Sequence, residues 1–163
     1  MKNIKQFWSG AILFPLLAVA ASAQSTSAYV FGAPGGATGS ARTQATLQAG
    51  AGFEVALPRG FGAGAEVGAL SDLRSWGDST VGVFAPTGYY HFVKGRAKRL
   101  DPFVDGGYTL FFRDGHLNLF HFGGGVNIWA TRHLGARFEL RDQVATQDGT
   151  VHYWGFRLGV AFR

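Results

Sequence analysis

Residues 151–162 read VHYWGFRLGVAF, from Val151 to Phe162. From Trp154 onward every second residue is a large apolar or aromatic side chain. The positions between them hold glycine, alanine and a single charged residue, Arg157. A period of two residues indicates a β-strand whose two faces meet different surroundings. This segment therefore predicts a strand with one apolar face and one face of small and polar residues.

The same alternation recurs along the chain, with turn residues such as Pro58-Arg59-Gly60 and Asp114-Gly115 between the segments. The predicted strands are 27–33, 44–57, 61–71, 80–92, 101–113, 117–129, 134–146 and 151–162. In the first strand the phase is ambiguous, and Pro86 in the fourth predicts a bulge or a local break, because proline removes a ladder donor. The sequence thus predicts an all-β fold, an eight-stranded antiparallel up-and-down transmembrane β-barrel.

Composition and glycine placement favour lipid, not water, outside this barrel. Charged residues make up 15% of the chain, against about 25% in an average soluble domain. A soluble barrel holding an apolar ligand would show the same period with its faces reversed. In four of the predicted strands, however, most glycines share a face with ionisable residues. Glycine exposed to water weakens a strand without packing in return, whereas inside a narrow barrel it leaves room for opposing charged side chains.

The inward phase carries four acids and four arginines, which predicts a paired charge network in the lumen. Its members are Glu54, Glu66, Asp105, Arg113, Arg137, Glu139, Arg141 and Arg157. Eight strands leave an interior only just wide enough for side chains, and a slip of one residue would turn every charge into lipid. If the last hairpin turns tightly at Asp148-Gly149, Glu139 faces Arg157. The alternative is that these are ordinary solvated surface charges.

The start of the chain has the pattern of an export signal. Lys2 and Lys5 precede an apolar run over 10–21 that ends in small residues, as in a cleavable signal peptide spanning residues 1–23. Cleavage there leaves a barrel domain of residues 24–163 with a formal charge of +3, since +5 falls by the two lysines. Both termini are then expected in the periplasm. There is no cysteine, so no disulfide stabilises the exported chain.

Several segments resemble the small eight-stranded barrels of the bacterial outer membrane, the OmpA-like barrel superfamily. They are Asp101-Pro102-Phe103-Val104, Gly106-Gly107-Tyr108, residues 122–127, Phe138-Glu139-Leu140-Arg141 and residues 154–162. The resemblance covers essentially the whole of residues 24–163 and implies a location in the outer membrane. It also implies that Trp154, Phe156 and Phe162 form a signal read by the barrel-assembly machinery. Arg163 departs from that pattern, in which the aromatic residue is usually the last.

The expected function is a structural or interaction role at the cell envelope by a monomer whose partners are outer-membrane lipids. A small porin-like channel for ions or solutes is the alternative, and a lipid-modifying enzyme is a further one. None of the five histidines has a serine two residues on, and no Gly-x-Ser-x-Gly elbow is present. No catalytic residue, cofactor or metal is therefore expected. The basic residues form no stripe with interleaved aromatic residues, so no nucleic-acid partner is expected either. The basic segment Lys94, Arg96, Lys98, Arg99 reads as a solvated turn or as a contact for anionic lipid headgroups.

Overall fold

A computed structural model describes residues 25–39, 43–75, 77–93, 99–147 and 150–163. Eight strands form a closed antiparallel barrel in which each strand pairs with its neighbours in the sequence and β1 pairs with β8. The strands are β1 (Ser25–Thr38), β2 (Thr43–Ala56), β3 (Phe61–Asp72), β4 (Val81–His91), β5 (Leu100–Phe112), β6 (His116–Trp129), β7 (Leu134–Ala145) and β8 (Val151–Phe162). The prediction of an eight-stranded up-and-down barrel is confirmed. The predicted signal peptide lies outside the described residues.

The two ends of the barrel are distinguished by the chain termini. The terminal end carries the start of β1, the end of β8 and the connections 57–60, 92–99 and 130–133. The distal end carries the connections 39–42, 73–80, 113–115 and 146–150. Among the described residues no helix is long and apolar enough to cross a membrane.

Strand β1 is longer than the sequence predicts. The predicted strand ended at Ala33 and a loop began at Pro34, but the observed strand continues to Thr38. Proline is compatible with an extended backbone, and Pro34 keeps its place opposite Leu47 of β2. The ambiguous phase of this strand is also settled, because Tyr29 and Phe31 are buried in the lumen and Val30 is exposed.

Two of the three prolines within strands, Pro34 and Pro86, interrupt the ladder without shifting it. Pro86 leaves a gap between β4 and β5, since Phe84 pairs with Leu110 and the next pair is Thr87 with Gly107. Residue numbers in both pairs add to the same value, so the register is unchanged and there is no bulge. The expected local break at Pro86 is therefore present, and the alternative of a bulge is wrong. Pro34 leaves an equivalent gap in the β1–β8 ladder. A missing N–H removes ladder bonds locally, while the pairs on both sides hold the register.

The outer face of the barrel is apolar, and every strand contributes to it. The exposed large hydrophobic residues within the strands are Val30, Phe53, Phe61, Val67, Phe84, Leu100, Val104, Tyr108, Phe112, Phe120, Phe122, Ile128, Leu134, Leu140, Trp154, Phe156, Leu158, Val160 and Phe162. Within the strands, most charged side chains lie on the opposite face and are buried. The lumen also contains apolar groups, which pack towards its two ends. Tyr29, Phe31, Ala33, Trp129 and Ala161 form the cluster on the terminal side, and Leu70, Val83, Phe111, Leu119 and Ala145 form the cluster on the distal side.

Inward-facing glycines let side chains on two flanking strands meet across the strand between them. Gly52 of β2 pairs with Tyr29 on one side and with Glu66 on the other. The Tyr29 hydroxyl donates a hydrogen bond to Glu66 Oε1 at 2.6 Å. A Cβ atom at Gly52 would lie 2.5 Å from the Tyr29 ring and 2.9 Å from Glu66 Cγ. The tyrosine–glutamate contact thus requires glycine at this position.

We expect Gly52→Ala to lower the free energy of unfolding by about 1–3 kcal/mol, because the added methyl group overpacks a buried site. The matched control is Gly32→Ala, where a Cβ would meet no atom within 4 Å and the change should stay within about 0.5 kcal/mol. Urea unfolding of both variants in the same lipid vesicles, followed by tryptophan fluorescence, measures the difference. Equal midpoints for the two variants would contradict this account of Gly52.

Candidate functional site in the barrel lumen

Glu66 of β3 is the most heavily bonded group in the lumen, and its side chain is only 2% exposed. Arg141 Nη1 donates to its Oε2 at 2.7 Å, and Arg157 Nη2 donates to the same oxygen at 2.8 Å. Its other oxygen accepts from Arg157 Nη1 at 3.0 Å and from the Tyr29 hydroxyl. Hydrogen bonds to ionised groups are stronger than neutral ones. Glu66 therefore ties β3 to β1, β7 and β8.

A second carboxylate, Glu139 of β7, extends the cluster. Arg157 lies directly opposite Glu139 in the β7–β8 register and donates from Nη1 to its Oε1 at 2.8 Å. Arg137 donates from Nε and Nη2 to Oε2 at 3.1 and 3.0 Å, and Arg141 Nε lies 2.7 Å from Oε1. Three guanidinium groups thus surround one buried carboxylate. The predicted turn at residues 148–149 lies outside the described residues.

Aromatic rings cover the guanidinium faces that form no hydrogen bonds. The Arg137 guanidinium carbon lies 4.0 Å from the centre of the Phe103 ring and 4.3 Å from that of Tyr29. That of Arg157 lies 3.6 Å from the centre of the Phe31 ring. Cation–π contact of this kind is strengthened where water is excluded. The aromatic rings therefore contact the faces of the guanidinium groups, while the carboxylates accept hydrogen bonds from the N–H groups at their edges.

Asp105 of β5 is the least satisfied acid of the cluster. Its Oδ1 lies 3.1 Å from Arg141 Nη2, within ion-pair distance. Neither of its oxygens receives a well-oriented hydrogen bond from the described residues. The contact passes over Gly123, which pairs with Asp105 on one side and Arg141 on the other. A Cβ atom there would lie 2.9 Å from Asp105 Oδ2, so glycine again makes the approach possible.

A further charged group lies nearer the terminal end and is organised by His91. Its Nε2 lies 2.6 Å from Glu54 Oε1, and its Nδ1 lies 2.9 Å from Asp101 Oδ1. Carboxylates accept from both ring nitrogens only if both carry a proton, so this geometry suits an imidazolium. Asn127 donates to the second oxygen of Asp101 at 3.3 Å. Arg137 Nη1 lies 3.9 Å from Glu54 Oε2 and links this group to the central cluster.

Seven of the eight residues predicted for the lumen network lie buried inside the barrel, and Arg113 does not. The buried seven are Glu54, Glu66, Asp105, Arg137, Glu139, Arg141 and Arg157. Strand β5 ends at Phe112, so the inward phase does not extend to Arg113, whose side chain is 43% exposed. It donates to the backbone oxygen of Asp78 and lies 3.6 Å from Asp114 in the distal connections. The predicted balance of four acids against four arginines is therefore wrong.

The lumen network also includes four residues that the sequence did not predict, namely His91, Asp101, Tyr29 and Tyr89. With them the described lumen holds five carboxylates against three guanidinium groups and His91. The hydroxyl groups of Tyr89 and Tyr29 lie 2.7 Å apart, and Tyr89 donates because Tyr29 already donates to Glu66. Tyr89 and His91 both fall on the inward side of the predicted fourth strand, so the period-two pattern could have identified these two residues. Tyr29 lay in the strand of ambiguous phase.

The charge cluster separates two open cavities. The distal cavity has a volume of about 550 Å³, and its lining includes Leu70, Phe111 and Tyr153. The terminal cavity, also about 550 Å³, reaches Glu54, His91 and Asp101 at its inner end. A small pocket of about 10 Å³ lies next to the distal cavity and is lined by Arg141, Gln143 and Arg157, roughly the space for a single water. Side chains thus occupy the middle of the barrel.

The remaining histidines do not form a catalytic or metal-binding arrangement with one another. His121 is buried in the lumen, where its ring nitrogens lie 3.2 Å from Thr87 Oγ1 and 2.8 Å from Thr109 Oγ1. His152 faces outward and lies 2.7 Å from Asp142 Oδ2. Over the described ranges, no group of three His, Asp or Glu side chains is arranged to hold a metal ion.

The residues predicted as an assembly signal share one face of β8. Trp154, Phe156 and Phe162 all point outward, and each is close to half exposed. Trp154 is packed against Gly36 of β1, where a Cβ atom would lie 3.1 Å from the indole ring. Together with Leu158 and Val160, they form a continuous apolar strip next to the seam at which β1 and β8 close the barrel.

Several solved structures have a similar fold. The N-terminal barrel domain of Pseudomonas aeruginosa OprF is 18% identical, with a TM-score of 0.62, over 84% of this chain and 95% of that chain. Neisserial surface protein A is 9% identical, with a TM-score of 0.66, over 84% and 96%. OprG of Pseudomonas aeruginosa is 10% identical, with a TM-score of 0.58, over 86% and 96%. The chain has the fold of the small eight-stranded outer-membrane barrels.

At these identities the likeness to the small outer-membrane barrels concerns the fold alone. No protein-family model matches the sequence, and no curated protein matches it at a significant level. Function must therefore be inferred from the side chains of this chain. Those side chains place paired charges inside an apolar shell.

We expect Arg157→Ala to destabilise the barrel by about 3–5 kcal/mol, because it leaves two buried carboxylates without one of their cations. The control is Arg113→Ala, which removes an arginine from the surface and should change stability by no more than about 0.5 kcal/mol. Urea midpoints of both variants, folded in the same vesicles, give the comparison. Similar midpoints would show that the lumen cluster does not stabilise the fold.

Proposed function

We propose that this chain is an integral outer-membrane β-barrel with a side-chain-filled lumen and a structural or interaction role at the cell envelope. The observation that carries the proposal is the arrangement of apolar and charged side chains, which is the reverse of that in a soluble protein. Apolar side chains on all eight strands are exposed, while Glu66, Glu139, Arg141 and Arg157 are nearly inaccessible. Soluble monomers rarely expose a contiguous apolar patch of more than a few hundred Å².

Strand length supports the same proposal. The strands contain 11 to 14 residues, and about 9–11 residues are needed to cross the hydrocarbon core of a bilayer when the strand is tilted. Each strand therefore crosses with a few residues to spare for the interfaces. Aromatic contacts lie where such an interface is expected, since the rings of Phe61, Tyr90 and Phe92 pack edge to face at 5.2 and 5.3 Å near the terminal end.

One carboxylate departs from the inside-out pattern. Asp142 faces outward on β7, three residues before the strand ends at Ala145. It pairs with His152 at 2.7 Å. A charge near the end of a strand costs much less than one at the bilayer midplane. The pair is therefore compatible with a position at the distal membrane interface.

The filled lumen favours a structural role over a transport role. A solute passing between the two cavities would have to displace Arg141 and Arg157 from Glu66, where each makes two hydrogen bonds. Breaking a buried ion pair is costly. We therefore infer that the small-pore alternative is the weaker one, and that a lipid-modifying activity is weaker still.

The proposal also covers biogenesis and assembly state. Pairing of β1 with β8 leaves no unpaired strand edge through which a second copy could extend the sheet, which supports a monomer.

The outward strip of Trp154, Phe156 and Phe162 lies beside that seam, and we infer that it is the segment recognised by the barrel-assembly machinery. Outer-membrane lipids are the proposed partners of the apolar belt.

Expression of the full chain in a Gram-negative host tests the location and the fold together. We expect the protein in the outer-membrane fraction, with a mobility in cold electrophoresis that differs from its mobility after boiling, because a folded barrel resists detergent. A soluble periplasmic protein with no mobility shift would overturn the proposal.

Two matched variants make the same assay specific for lipid contact. Leu140→Arg introduces a cation on the exposed face in the middle of β7 and should reduce the folded fraction, since it costs about 2–4 kcal/mol at the midplane. Leu73→Arg changes an equally exposed leucine in a distal connection and should have little effect. If both variants folded as well as the wild type, water and not lipid would surround the barrel.

Planar-bilayer recording separates the closed barrel from the small pore. We expect no stable conductance from the wild-type protein, because the buried and hydrogen-bonded side chains of Glu66, Arg141 and Arg157 occupy the centre of the lumen. Sustained channels carrying ions or small solutes would favour the porin-like alternative. Analysis of lipid products from the same vesicles would reveal a lipid-modifying activity if one were present.

A further inference from the structure

The two ends of the barrel differ sharply in charge. The connections at the terminal end contain six cations, Arg59, Lys94, Arg96, Lys98, Arg99 and Arg132, and no Asp or Glu. Those at the distal end contain three arginines, Arg42, Arg74 and Arg113, and three aspartates, Asp78, Asp114 and Asp148. The connections at the two ends are of similar length, so the difference in charge does not result from a difference in length. Only the terminal end is strongly cationic.

The cations described at the terminal end come from separate parts of the chain and are exposed. Arg59 follows β2, Arg99 precedes β5 and Arg132 lies between β6 and β7. No acidic side chain among the described residues lies within ion-pair distance of any of these three. Residues 94–98 add three more cations in sequence, but they lie outside the described residues. The terminal end therefore carries uncompensated positive charge.

Each of these cations stands next to an exposed apolar side chain of the membrane-facing belt. Arg99 adjoins Leu100, which is 57% exposed, and Arg132 lies two residues before Leu134, which is 43% exposed. Arg59 likewise lies two residues before Phe61. A cation beside an apolar anchor matches the two parts of a phospholipid, in which a phosphate caps the acyl chains.

The acids nearest to this end do not neutralise it. Glu54 and Asp101 face the lumen, and both are held by His91. At the distal end Arg113 is engaged locally, since it donates to the Asp78 backbone and lies 3.6 Å from Asp114. The difference in charge between the two ends is therefore still present when side-chain contacts are taken into account as well as the sequence.

We propose that the terminal rim, defined by Arg59, Arg99 and Arg132, binds the phosphodiester headgroups of anionic phospholipids such as phosphatidylglycerol. This inference rests on the proposed membrane location. The charge favours an anionic partner, and the adjoining belt places that partner at the level where lipid headgroups begin. A soluble acidic protein or polymer could pair with the positive charges, but its binding would not involve the apolar side chains beside them.

The test uses the folded full barrel in lipid discs that contain phosphatidylcholine and phosphatidylglycerol. Cold and boiled electrophoresis first establishes insertion, and spin-labelled forms of each lipid then report the fraction held at the protein surface. We expect a preference for phosphatidylglycerol in the wild type that weakens as salt is raised. Arg99→Gln/Arg132→Gln should reduce it, with about fivefold per arginine as the upper limit set by charge at a membrane surface.

Two matched variants separate position from total charge. Arg74→Gln/Arg113→Gln removes the same charge from the distal end and should leave the preference unchanged. Arg99→Lys/Arg132→Lys keeps the rim charge and should retain it. Equal loss in the rim and distal variants, or a preference that survives in the rim variant, would overturn the proposal.

The remaining outcomes distinguish this inference from the proposed function. A protein that fails to insert would refute the membrane location and the lipid site together. A protein that inserts but shows no preference would refute the lipid site alone. Binding of soluble polyglutamate to barrels in pure phosphatidylcholine discs, without a preference for phosphatidylglycerol, would assign the rim to an acidic macromolecule and overturn the proposal.

Discussion

Glu66 accepts hydrogen bonds from Tyr29, Arg141 and Arg157, which belong to β1, β7 and β8. The barrel closes where β1 meets β8, so one carboxylate on β3 is bonded to both strands of that seam. Burying a charge without partners costs several kcal/mol. The seam must therefore form in the register that brings these partners to Glu66, and a shift by one residue would turn them into the membrane-facing surface.

The narrowness of the barrel explains why small residues are as important as charged ones. Glu66 and Tyr29 meet across Gly52, and Asp105 meets Arg141 across Gly123. Neither contact has room for a Cβ between its partners. The glycine-rich sequence thus reflects a lumen in which long polar side chains span the interior, and the glycines lie in the strands beneath them.

Period-two counting predicted the number of strands, their order and the inward face of seven of the eight network residues, because alternation is a local property. It was wrong for Arg113, since the pattern does not reveal where pairing of β5 stops. It did not identify His91 as a lumen cation, although the phase of β4 contained it. Which carboxylate meets which guanidinium could not be predicted, because Glu66 and Arg141 are 75 residues apart and meet only across a closed barrel.

Arginine occupies three environments in this one barrel, and position decides its role in each. Arg141 and Arg157 are buried, and their geometry is set by the buried carboxylates of Glu66 and Glu139. Arg113 is held by neighbouring groups in the distal connections. Among the residues that the structure describes, no acidic side chain lies within ion-pair distance of Arg99 or Arg132, so their charge is available to groups outside the barrel. In the proposed membrane location, the bilayer places phosphate at that level and acyl chains against the belt beside it.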